Sequence, residues 1–143
     1  MKRIIRFVLI CVSVVTMLFT LAFAVDNIFI RSSEYFRGYR VWTSSNGNGM
    51  IEICADIKAT GQMTRIGMDE IEIQCLSSGK WQTIDTISGT TRNGMLESNT
   101  SSYSGFYEYD GSSGKTYRAI VTAYAKNGSG SDSVSVTTNA VTA

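Results

Sequence analysis

From residue 34 onward, apolar and polar positions alternate in short runs of period two. The run from Met50 to Ala59 shows it most clearly. Ile51, Ile53, Ala55 and Ile57 fall on one face, and Glu52, Cys54, Asp56 and Lys58 on the other. That period marks a strand with one face in a core and one in water. Similar segments rich in Val, Ile, Thr and Tyr predict strands over Glu34–Trp42, Asp69–Leu76, Trp81–Ile87, Ser102–Tyr109, Thr116–Lys126 and Asp132–Val141. Clusters of Gly, Ser, Asn and Asp separate several of them: 45–49, 77–80, 110–114 and 127–130. Residues 60–68 read as a longer connection with Met63 and Ile66 tucked beneath it, and 88–98 as irregular. No long stretch carries a helical period. Seven strands at this spacing predict an all-β fold, a seven-stranded antiparallel β-sandwich.

The first 24 residues follow another pattern. Lys2, Arg3 and Arg6 precede an apolar run from Phe7 to Phe23, which closes on Ala22-Phe23-Ala24. A basic start, an apolar centre and a small-x-small ending describe a secretory signal peptide cleaved before Val25. The run also approaches the minimum length of a membrane span, but its ending favours cleavage. The expected organisation is a signal peptide over 1–24, an untethered lead-in over 25–33 and one sandwich domain over 34–143. The secreted form then lies outside the cell, free of the membrane. No sorting tail is expected, since Asn139–Ala143 carries no apolar run.

Charge and composition narrow the function classes. Processing removes three of the 13 basic residues and none of the 12 acids, leaving 119 residues of formal charge −2. A near-neutral domain is a poor electrostatic match for nucleic acid or for an anionic membrane. The chain has no histidine, which excludes His-based triads, His general bases and imidazole metal sites. It also has no proline, so no proline-rich stalk is present.

Tyr117-Arg-Ala-Ile-Val-Thr-Ala-Tyr-Ala-Lys-Asn-Gly-Ser-Gly-Ser-Asp-Ser-Val-Ser-Val-Thr-Thr138 resembles the last two strands of a fibronectin type III module, within the broader immunoglobulin-like class. The resemblance implies that Tyr117 is a corner tyrosine, with its ring in the core and its hydroxyl bonded to the backbone of the preceding turn. It also implies that the first, second and fifth strands share a sheet. The chain departs from that family in lacking proline and in placing Trp81 after the third strand. Over most of its length it also resembles a group of short secreted proteins of Gram-positive gut-type bacteria. That likeness rests on Gly61-x-Met63-x-x-Ile66-Gly67, Trp81, Gly111-x-x-Gly114-Lys115-x-Tyr117 and the run from Asn127 to Ser133. It brings no activity, cofactor or catalytic residue.

Carboxylates are the only catalytic candidates. Glu70 and Glu72 share a strand face, as glycosidase or calcium chemistry could use. A solvated face beside Arg65 and Lys80 is the preferred reading, since neither carboxylate sits in a pocket-forming context. Asp110 and Asp132 fall in turns, where Asp is ordinary. Ser129, in Gly128-Ser-Gly130, is hairpin chemistry and no nucleophile elbow. No catalytic, cofactor-binding or metal residue is therefore assigned. Aromatic residues crowd two strands: Tyr35, Phe36, Tyr39 and Trp42 on one, Tyr103, Phe106, Tyr107 and Tyr109 on another. Rings on both faces leave one set partly exposed, to stack sugars, anchor a protein or simply pair across the sheet. The reading is a secreted or cell-surface, non-catalytic interaction module for a protein or glycan. A small carboxylate hydrolase and a protein assembling through its edge strands are the alternatives.

Cys54 and Cys75 remain after processing. Export favours a disulfide, whereas strand parity points Cys54 to water and Cys75 inward, and the fibronectin-like resemblance implies that their strands lie in different sheets. Free thiols are expected.

Overall fold

The computed structural model describes residues 33–128 and 130–143. The signal segment, the lead-in through residue 32 and Ser129 lie outside the described residues. The rest is all-β: β1 (Phe36–Gly47), β2 (Met50–Met63), β3 (Arg65–Ser77), β4 (Lys80–Ser88), β5 (Leu96–Glu97), β6 (Thr100–Asp110), β7 (Thr116–Asn127), β8 (Gly130–Thr137) and β9 (Val141–Thr142). Two antiparallel sheets face each other as a β-sandwich. One has the order β1-β2-β6 and the other β4-β3-β7-β8, with β5 on β3 and β9 on β7. The seven expected strands are β1, β2, β3, β4, β6, β7 and β8; the two-residue β5 and β9 join them. The expected strand over Asp132–Val141 divides, because Thr138–Ala140 leaves the ladder between β8 and β9.

Local chemistry accounts for the connections. Asn48 and Gly49, with φ of 58° and 91°, form the two-residue β1–β2 turn, a conformation that suits Asn-Gly. The expected connection over 60–68 is almost entirely strand. β2 loses its register with β6 after Lys58 and runs to Met63, and β3 starts at Arg65. The Thr64 N–H donates to the Lys126 carbonyl at 2.8 Å, so this corner between sheets leaves its backbone paired without a loop. Met63 and Ile66 are buried, as expected.

A bulge at Asp69 reverses the parity of β3. Ile66 and Met68 face inward before it, and Ile71, Ile73 and Cys75 after it. The 89–95 loop closes over this bulge. Met68 N–H bonds the Met95 carbonyl and Gly89 N–H the Asp69 carbonyl, each at 2.7 Å. Gly67, at φ 146°, is required there, because a β-carbon would overlap the Met95 carbonyl oxygen. From β6, the buried Tyr103 donates its hydroxyl to the Gly94 carbonyl at 3.0 Å and pins the same loop. Burial pushes that phenol up to about 12, with Glu97 adding to the effect.

The core lies between the sheets, lined by Ile51, Ile53 and Ile57 of β2, Ile71 and Ile73 of β3, and Ala119, Val121 and Ala123 of β7. Ser33, the one described residue of the expected lead-in, is tied to β8 rather than loose. Its hydroxyl donates to Asp132 at 2.6 Å and accepts from the N–H groups of Tyr35 and Phe36.

Candidate functional site

Tyr117 has the geometry set out for a corner residue. Its ring is buried and stacks edge-on against Tyr109 at 6.3 Å. Its hydroxyl oxygen accepts the Ser112 N–H at 2.7 Å, so the turn supplies a donor here. Gly111 lets the ring approach, since a β-carbon would sit 2.9 Å from it. This corner is structural and leaves no free chemistry.

The aromatic strands divide their rings unequally. Phe36, Tyr39 and Tyr103 are buried, while Tyr107 and Tyr109 are half-buried at the rim of the core. Trp42 and Phe106 point the other way. Both pair with Cys54, making a row Trp42–Cys54–Phe106 across the outer face of β1, β2 and β6. Phe106 is 58% exposed, the most open large apolar side chain among the described residues. Cys54 departs from the parity expectation: it sits on the outer face yet is only 9% exposed. The two flanking rings cover what strand geometry alone would leave wet. Burial raises its thiol pKa, and Glu52 and Asp56 raise it further, against a lowering bond from Ser44.

Around this row the face is polar and largely satisfied. Arg40 lies with its guanidinium 4.4 Å from the Trp42 ring centre and pairs with Asp56 at 3.2 Å. Asp56 also accepts from Ser104 at 2.6 Å. A shallow depression of about 230 Å³ beside the row is lined by Gly38, Tyr39, Arg40, Asp56 and Lys58. Compared with protein-family models, curated proteins and solved structures, the chain matches none.

The outer face of the other sheet repeats the stacking device. Arg118 lies 4.3 Å from the Trp81 ring centre and donates through Nε to Gln74 at 2.8 Å. Glu70 and Glu72 share this face, opposite Thr122 and Ile120 of β7, and Glu72 accepts weakly from Thr83 at 3.4 Å. Asp132 is taken up by Ser33, and Asp110 closes β6. Among the described residues, no three His, Cys, Asp or Glu side chains gather as a metal-binding group.

Cys75 is buried on the inner side of β3, and both Cys54 and Cys75 are free thiols in opposite sheets. The sequence reading missed the Arg–Trp stacks. Arg40-x-Trp42 was readable as two positions on one strand face, whereas Arg118 over Trp81 joins two strands through a third. It also missed Asp85, which a bulge at Ile84 turns toward Tyr109.

Proposed function

We propose that the chain is an exported, non-catalytic β-sandwich of the fibronectin type III or immunoglobulin-like kind that binds a protein partner through the Trp42–Cys54–Phe106 face. Export rests on the basic start, the apolar run and Ala22-Phe23-Ala24. The kinship is supported by the sheet partition β1-β2-β6 against β4-β3-β7-β8 and by the Tyr117–Ser112 corner.

One observation carries the functional reading. Phe106 leaves a large ring in water at the centre of a strand, although that position adds nothing to the core. Together with Trp42 it gives a polar face an aromatic anchor of the kind that dominates protein interfaces. A glycan platform would need open ring faces, and one face of each tryptophan is already covered by arginine.

The test is affinity capture from the envelope and culture fluid of the producing cell, with the processed chain as bait. A Trp42→Ala/Phe106→Ser double variant serves as the control. A partner held about tenfold less by a variant that melts normally supports the reading, since anchor residues are worth at least that factor. Equal retention by both baits contradicts it.

A further inference from the structure

We propose that the open edge of β6 and the overhanging strand β4 form a slot that takes one extended, basic peptide segment of a partner protein as an added strand. The slot follows from unequal sheets. β6 lies over β3, so β4 projects one strand beyond the edge of the smaller sheet. β4 is exposed along most of its length, with Ile84 48% exposed. Beneath the edge of β6 opens a cleft of about 500 Å³ lined by Met50, Asp85, Tyr107, Glu108, Tyr109 and Asp110.

The edge itself is ready to pair. The Gly111 N–H bonds the Gly49 carbonyl, which directs the backbone groups of odd-numbered residues at this end of β6 toward β2. Those of Ser104, Phe106 and Glu108 therefore point away from the sheet, and among the described residues β6 pairs no other strand on that side. A bare row of this kind is what strand addition uses. The other edges are blunted. Asn139 occupies Thr43 on β1, a bulge interrupts β4, and Ser33 ties down the start of β8. β6 keeps an unbroken register from Ser102 to Asp110.

Geometry and charge select the occupant. A second sandwich cannot pair edge to edge with β6, because its own larger sheet would enter the space that β4 holds. A lone strand fits, about 4.8 Å beyond β6 and roughly 10 Å above β4. Among the described residues, Asp85, Glu108 and Asp110 line the cleft and no Lys or Arg does. The guest therefore carries Lys or Arg at alternate positions, facing Asp85 beside the rings of Tyr107 and Tyr109.

The slot rests on the proposed reading only in sharing Phe106, whose backbone it uses and whose ring it does not, so Trp42→Ala weakens the face and leaves the slot's hydrogen bonds intact. The experiment uses the processed chain and a synthetic peptide of about seven residues alternating lysine and valine, near the length of the open edge at ~3.3 Å per residue. Amide exchange is followed with and without it. The expected result is slowing of about tenfold or more at Ser104, Phe106 and Glu108, lost in high salt and weakened by Asp85→Lys. The same peptide with every backbone nitrogen methylated gives no slowing. Equal protection by the methylated peptide, protection centred on β1, or none at millimolar peptide overturns the proposal. Protection without peptide that grows with protein concentration also overturns it, by showing a second copy at the edge.

Discussion

The side-chain amide of Asn139 holds both backbone groups of Thr43: its oxygen accepts the Thr43 N–H at 3.0 Å and its nitrogen donates to the Thr43 carbonyl at 2.8 Å. One side chain from the β8–β9 connection thus stands in for a strand on the edge of β1. Beside it, Thr138 Oγ1 accepts from Thr43 Oγ1 at 2.6 Å and from the Ala119 N–H at 2.9 Å. The two sheets are stitched together at this point. Asn139→Ala leaves both groups of the buried Thr43 unmet and is expected to cost about 2 kcal/mol. Asn139→Asp keeps the acceptor, sets a carboxylate against a carbonyl and recovers none of that loss. Denaturant unfolding of the three proteins checks it.

Tyr117→Phe removes the acceptor of the Ser112 N–H. Ser112 is exposed, so water can replace the lost oxygen, and the cost is about 1 kcal/mol, the low end for such a loss. Tyr117→Ala also empties a buried ring site and is expected to cost about 3–5 kcal/mol. Thermal melts of both variants separate the hydroxyl from the ring.

Gly67→Ala is expected to be among the most damaging single changes, above about 4 kcal/mol or unfolding outright. The new methyl would overlap the Met95 carbonyl and displace the 89–95 loop from the bulge at Asp69. Gly61→Ala, where a β-carbon meets open space, is the control and should melt near wild type. Expression level and circular dichroism distinguish them.

Tyr103 makes stability sensitive to alkali. Its phenol is pushed up to about 12 by burial, whereas the unfolded chain ionises near 10. Between those values the unfolded state has released the proton that the folded state still holds, so stability falls as pH rises through that window. Below pH 10 this contribution is fully present. Urea midpoints measured from pH 8 to 12 should fall above 10 in the wild type and less in Tyr103→Phe, which starts lower for lack of the Gly94 bond.

The strands and their core faces were readable from alternations such as Ile51, Ile53, Ala55 and Ile57, because a period of two has only one way to face a core. The sheet partition and the Tyr117 corner followed from the fibronectin-like run after Thr116. What escaped were features set by single inserted residues and by neighbours remote in sequence. The bulge at Asp69 lets Met68 and Ile71 both face inward, and the one at Ile84 turns Asp85 toward Tyr109; periodicity carries no trace of either. Cys54 was assigned to water because parity sees the strand alone, not the Trp42 and Phe106 rings beside it. The β6 slot depends on how far β4 overhangs, which only the packed sheets define.

Cys54 lies under the proposed binding face and Cys75 in the core, so labelling both tests the central claim most directly, with Cys75 as the internal reference. Denatured without reductant, the processed chain is expected to take two labels, since Cys54 and Cys75 are free. In the native protein Cys54 reacts slowly, shielded by Trp42 and Phe106 and with its pKa raised, and its rate climbs with pH as the thiolate forms. Alkylation is then followed at pH 9 in the free protein and in complex with the captured partner. A partner seated on the Trp42–Phe106 face slows Cys54 by about tenfold and leaves Cys75 unchanged. An unchanged Cys54 rate in a saturated complex would contradict the assignment of this face as the binding surface.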